Sequence, residues 1–203
     1  SSDLILANPQ DKFYVGSMSY DFSVDNFNDL FTNKTLTNVT ALLSAMPMTA
    51  GVVVNAPPFV NKMLPMSYLY EATEGINVNT KIGTSTVPLE LTRSVAKIVV
   101  KSTVADFTLS GIHSVYNMNK NTVLHNLSGN LETAASMVDY IRNDANEDFV
   151  SATANVTDPI YVYEAKSGTG VYMIIRAFYK GLESYYKIAI ADDELKYIDI
   201  KRN

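Results

Sequence analysis

The chain has 203 residues, 47% of them hydrophobic, and carries 16 basic against 21 acidic side chains for a formal net charge of −5. That length bounds the molecule to one or two domains with enough apolar residues for a sizeable core, and no basic cluster supplies the electrostatic footprint that nucleic acid requires. Cysteine is absent, which excludes disulfides, thiolate metal sites and cysteine nucleophiles together.

Ser1 begins almost directly at the apolar run Leu4-Ile5-Leu6, as expected of a processed or trimmed product. Leu4 to Ala7 reads as a short buried strand stopped by Asn8-Pro9, because proline fixes φ and cannot donate to a ladder. Ser23 followed by Val24, Phe27, Leu30 and Phe31 at helical spacing predicts a short capped helix over 23–31. Residues 44–68 hold Pro47, Pro57, Pro58 and Pro65, which favour extended segments and turns. From Val87 the pattern sharpens: Val87, Leu89 and Leu91 fall on odd positions, whereas Ala96, Ile98 and Val100 fall on even ones against Arg93, Lys97 and Lys101. Side chains alternate strictly along a strand, so such a flip means a bulge or a strand that leaves one core for another. A domain junction is placed there, dividing the chain into 1–92 and 93–203. Phe107, Leu109 and Ile112 continue as the next strand. Asn130 to Arg142 sets Leu131, Ala134, Ala135, Val138 and Ile141 at helical spacing behind an asparagine cap, which predicts one amphipathic helix.

The end of the chain carries the clearest β signal. Ile160 to Tyr163, Val171 to Tyr179 and Tyr185 to Ile190 are separated by Gly168, Gly170 and Gly181 and read as antiparallel hairpins with glycine turns. Ile98, Ile174 and Ile188 are assigned to the core faces of their strands, and Lys196 to Lys201 begins another alternation. The predicted architecture is mainly β: a pair of β-sandwich domains with one or two short helices.

Candidate chemistry is thin. His113 and His125 lack a carboxylate at ligand spacing, so neither a metal pair nor a catalytic base is expected. Asp144, Asn146 and Asp148 match the first ligand positions of a calcium loop, but Phe149 stands where the sharp turn needs glycine and Asn155 where the bidentate glutamate belongs. Gly168-Thr-Gly170 lacks the third glycine of a dinucleotide loop. Asp192-Asp193-Glu194 reads as a charged turn between strands, and no G-x-S-x-G elbow occurs. The tyrosines at 161, 163, 172, 179, 185 and 186 read first as core or half-buried strand residues and second as an adhesive aromatic face. Sequons at Asn33, Asn38, Asn126 and Asn155 carry little weight in an Asn/Thr-rich chain. The expectation is a protein that is not an enzyme, with no catalytic residues, no cofactor and no metal.

Leu64-Pro-Met-Ser67, then a variable turn, then Val87-Pro-Leu-Glu-Leu-Thr-Arg-Ser-Val-Ala-Lys-Ile98 resembles the fimbrillins of Bacteroidales, the type V pilins. Ile160-Tyr-Val-Tyr-Glu164, Ile198-Asp-Ile-Lys-Arg-Asn203 and the opening Leu4-Ile-Leu-Ala-Asn-Pro9 are similar to segments of that family in the same order. The resemblance implies two transthyretin-like Greek-key β-sandwich domains in a pilus subunit, exported as a lipoprotein, anchored to the outer membrane through a lipid on the precursor, and matured at the cell surface. It further implies that an arginine-specific protease removes an N-terminal strand and that the opened groove accepts a strand from the next subunit. Expected partners are other pilin subunits and host or bacterial surface ligands. Against the family pattern, the strands before Leu4, the lipidated cysteine, the processing arginine and a His-x-Tyr strand after Asn203 are not visible. Two rival classes are a monomeric surface lipoprotein that binds glycans or host proteins, which needs an exposed aromatic platform, and a secreted enzyme, which needs a pocket with convergent polar groups.

Overall fold

A computed structural model describes residues 2–9, 11–45, 47, 64–71, 75–77, 79–84, 88–129, 131, 137–141 and 148–202. The chain is mainly β, with several antiparallel sheets and two short helices. The first strand, β1 (Ser2–Ala7), pairs antiparallel with β4 (Met66–Glu71) from Ser2↔Glu71 to Ala7↔Met66, and β4 takes β5 (Thr92–Arg93) on its other edge. Strand β1 stops at Asn8-Pro9 as the sequence predicts, but Leu4 to Ala7 are half-buried rather than buried.

Between β1 and β4 lie a hairpin, β2 (Lys12–Val15) with β3 (Met18–Asp21), and the helices α1 (Val24–Phe31) and α2 (Leu36–Leu42). The predicted helix over 23–31 is present: the Ser23 hydroxyl accepts from the Asn26 amide at 3.2 Å, satisfying one of the orphan donors of the first turn. Thr35 caps α2 in the same way through Asn38, at 3.3 Å. The apolar stripe of α1 explains its seat. Phe27 and Phe31 close on Phe13, fully buried, at ring separations of 4.8 and 6.1 Å, and Tyr20 and Phe22 complete the aromatic cluster at 5.6 and 5.1 Å.

At Ser94 the chain changes sheets. Arg93 pairs with Met66 in the first sheet, whereas Val95 opens β6 (Val95–Ile98), which pairs with β11 (Ile160–Tyr163) from Val95↔Tyr163 to Ile98↔Ile160. The parity flip read from residues 87–100 straddles this step. Residues 88–91 are not strand, and Val87 lies outside the described residues.

The largest sheet has the order β10 (Val156–Thr157), β9 (Val150–Thr153), β7 (Phe107–Asn119), β12 (Tyr172–Tyr179), β13 (Leu182–Ala189). A further strand, β8 (Met137–Ile141), shares the β9 edge of β7. The 13-residue β7 buries Leu109, Ile112, Val115 and Met118, a spacing of three that no regular strand produces. Register shifts resolve it: Leu109, Ile112 and Val115 stand opposite Ala177, Ile175 and Met173, so one extra residue of β7, Ser110 or His113, is absorbed at each step as a bulge.

Three expectations are corrected. The helix predicted over 130–142 is strand in its described part: Val138 and Tyr140 point inward between exposed Met137 and Ile141, and the ladder to β7 satisfies their main chain. Burial pushes the Tyr140 phenol up to about 12. Residues 130, 132–136 and 142 lie outside the described residues. The glycines after Ile160–Tyr163 do not make a hairpin, because β11 joins β6 while Ser167–Thr169 forms a 3-10 turn ended by Gly170 at φ 66°. Of the predicted glycine turns in this stretch, the one at Lys180-Gly181, both at positive φ, does turn a hairpin, between β12 and β13. Ile174 faces away from the core, since Met173, Ile175 and Ala177 form the buried row of β12. The predicted alternation over 196–201 contributes two isolated bridges, Ala191↔Tyr197 and Ala165↔Ile200. One cluster of buried side chains runs from Phe13, Phe31 and Leu43 through Val95, Ile112, Val162 and Ile175 to Ile200.

Candidate functional site

The densest polar constellation gathers five segments around the loop that follows β7. Arg202 donates from Nε to Glu164 Oε2 at 2.8 Å and from Nη2 to Glu164 Oε1, a bidentate pair whose side chains are 10% and 8% exposed. The same guanidinium reaches Thr122 Oγ1 and the Val123 carbonyl at 3.1 Å and the Leu124 carbonyl at 3.3 Å. Glu164 Oε1 also accepts from Thr122 and Asn126 at 3.1 and 3.3 Å, and its carbonyl accepts from Asn119. The Leu124 carbonyl takes two more donors, the hydroxyls of Ser67 and Ser94, each at 3.0 Å. The chain positions these groups by simple means: β4 carries Ser67, the sheet-switching step carries Ser94, and β11 ends immediately before Glu164.

His125 Nδ1 lies 3.0 Å from Ser67 Oγ. With the Ser67 hydroxyl donating to Leu124, the consistent assignment has His125 Nδ1–H donating to Ser67. Burial, and secondarily the Arg202 charge, hold the imidazole below its ordinary value of 6.5, which keeps it neutral. A serine beside a histidine is the geometry of an activated nucleophile. Here Ser67 is 2% exposed and its proton is committed to a carbonyl, so the pair ties strands together.

A second ionic group lies on the outer face of the large sheet. Arg176 grips Asp148 through Nε and Nη2 at 2.9 and 2.8 Å and reaches Glu183 at 3.2 Å, and Ser110 also donates to Asp148 at 3.0 Å. Gly111 makes this approach possible, because a β-carbon there would press on the Val150 carbonyl and meet Asp148 Cβ at 2.8 Å. Asp148, the third position of the calcium-like run, is thus engaged by a cation. Residues 144–147 of that run lie outside the described residues.

The remaining candidates fall apart spatially. His113 sits at the second bulge of β7 with its ring edge-on to Tyr185 at 5.2 Å, and its Nδ1 is buried without a partner among the described residues. Asp192 caps its own turn, accepting from the amides of Glu194 and Lys196 at 3.0 and 2.9 Å. Asn155 is a turn residue whose side chain accepts the Leu109 amide at 2.8 Å. Gly168 and Gly170 belong to the 3-10 turn described above. Among the described residues no group of three His, Asp or Glu is arranged to hold a metal ion, and no helix is long and apolar enough to cross a membrane.

The six tyrosines do not share a face. Tyr163 is fully buried and Tyr186 packs under the sheet against Phe107 at 5.5 Å. Tyr161 packs half-buried against the core, and Tyr179 lies at the hairpin end under Lys180. Tyr172 is sandwiched, with Tyr116 stacked at 4.7 Å and the Lys187 ammonium 4.1 Å from its ring centre. Sequence reasoning missed the Arg202–Glu164 pair altogether, because its partners are 38 residues apart and neither sits in a recognisable motif. No family model, no curated protein and no solved structure matches the chain.

Proposed function

We propose that this chain is a structural and adhesive subunit of a cell-surface fimbria, held at the outer membrane and joined to its neighbours by strand exchange. In the same reading its sheets belong to two transthyretin-like Greek-key sandwiches divided near residues 92 and 93. The observation that carries the proposal is an imbalance between layers. Among the described residues, a six-stranded sheet shares its core with a sheet of two strands, β6 and β11. Strand β11 buries Ile160, Val162 and Tyr163 and pairs with β6, and the Ala165↔Ile200 bridge follows just beyond its end. In a sandwich, a second layer short of strands is the kind of layer that an incoming strand completes. Repeating such a head-to-tail contact does not close, so it grows a filament.

The glycan-binding alternative receives less support, since both faces of Tyr172 are occupied and the other tyrosines diverge. Immunogold electron microscopy of intact cells, with antibody raised against this chain, tests the proposal. Gold aligned along surface filaments is the expected result. Label confined to the envelope, with filaments bare, contradicts it and favours a monomeric surface protein.

A further inference from the structure

The hairpin that joins β12 to β13 ends in apolar side chains. Lys180 and Gly181, at φ 51° and 81°, form its two-residue turn, and Tyr179 pairs with Leu182 to close it. Phe178, Tyr179 and Leu182 are all exposed there, Leu182 at 74%. The loop that enters β7 adds Val104, 60% exposed, and is tied to the tip by the Lys180 amide, which donates to the Asp106 carbonyl at 2.8 Å. Strand alternation sets Phe178 on the outer face of the sheet with Arg176, and sets Tyr179 and Leu182 on the core-facing side in line with Ala177 and Tyr186. Apolar surface therefore wraps both faces of the hairpin end.

We propose that this end of the large sheet inserts into an anionic lipid surface. A flat protein face would meet one side of the tip, whereas a lipid interface surrounds a convex apolar end on every side. The main chain suits that setting, because the Tyr179↔Leu182 pair and the bond from Lys180 to Asp106 satisfy backbone groups that would otherwise need water. The charges suit it as well. Lys180 holds its ammonium 5.4 Å from the Tyr179 ring centre, and an aromatic beside a lysine is the pairing that a membrane–water boundary favours. Glu183 is tied to Arg176 at 3.2 Å. That leaves Lys101 and Lys180 against Asp106 at this end of a chain whose net charge is −5, so attraction to anionic headgroups is local to the tip. The contact involves neither β6 nor β11 and stands independently of the strand-exchange reading.

Flotation with vesicles of phosphatidylcholine and phosphatidylglycerol in equal parts tests the proposal. The native chain is expected to float with the vesicles. Leu182→Asp and Val104→Asp should each partition about tenfold less, with unchanged thermal midpoints, because both side chains are exposed in the folded chain. Leu195→Asp alters a leucine that is 85% exposed on a different turn, beside Asp193 and Glu194, and should float like the native chain. The absence of native cysteine allows a second measurement. An environment-sensitive fluorophore on Leu182→Cys should shift to the blue when vesicles are added, and the same label on Leu195→Cys should not. A native chain that stays in the soluble fraction, equal losses in Leu182→Asp and Leu195→Asp, or a Leu182→Cys label that remains in water overturns the proposal. Binding that salt abolishes and Leu182→Asp leaves intact also overturns it, since that marks a purely electrostatic contact. Where an aspartate variant fails to fold, the fluorophore comparison decides.

Discussion

Arg202 and Glu164 are nearly buried ions held by each other and by the loop at 122–126, so removing one strands the other. Truncating one member of a buried pair costs about 3 to 5 kcal/mol, whereas replacing both with apolar residues is close to neutral. Arg202→Met is therefore expected to lower the urea midpoint markedly, and Arg202→Met/Glu164→Met to recover much of the loss. An unchanged midpoint in the single variant contradicts the account. His125 gives a pH signature. Its folded value lies below the ordinary 6.5, so below 6.5 the unfolded chain takes up a proton that the folded chain does not. The stability it contributes is complete above 6.5 and is lost as the pH falls through its folded value. The thermal midpoint of the native chain should drop on acidification below 6.5 more steeply than that of His125→Gln, and equal slopes would remove this role. None of this was legible locally: Ser67, His125, Glu164 and Arg202 are ordinary residues in sequence and become a cluster only when four distant segments meet.

At the scale of elements, legibility followed periodicity. Helix α1 was readable because Ser23 and the stripe Val24, Phe27, Leu30, Phe31 agree on one answer. The β12–β13 hairpin was readable because its turn residues and its alternation agree. Strand β8 was misread because Leu131, Ala134, Ala135, Val138 and Ile141 fit a helical spacing, while Val138 and Tyr140 also fit an alternation that β7 was available to pair. Strand β7 disguised its length, since two bulges convert a period of two into a spacing of three. The corrected face of β12 gives a sharp test. Ile175→Asp places a charge in the core row and should abolish cooperative folding, at a cost of several kcal/mol. Ile174→Asp, on the opposite face between Ser114 and Lys187, should fold. Circular dichroism of the two variants decides, and the reverse outcome would mean that the faces are exchanged.

For the whole molecule, the β-rich class was legible from the run of tyrosine, valine and isoleucine after Ile160, but the sheets were not. Strand β6 finds β11 across the length of β7, β8, β9 and β10, and β4 finds β1 across two helices and a hairpin, pairings that no local pattern encodes. The change of sheet at Ser94 falls within the stretch where the sequence parity flips, although residues 88–91, in the first half of that pattern, are not strand. The proposed function rests on the fimbrillin resemblance together with the two-stranded layer that β6 and β11 form among the described residues. The most direct measurement of that central claim is electron microscopy of the full-length protein before and after limited cleavage by an arginine-specific protease. The account predicts filaments after cleavage and none before; a protein that stays unassembled after cleavage would contradict assembly by strand exchange.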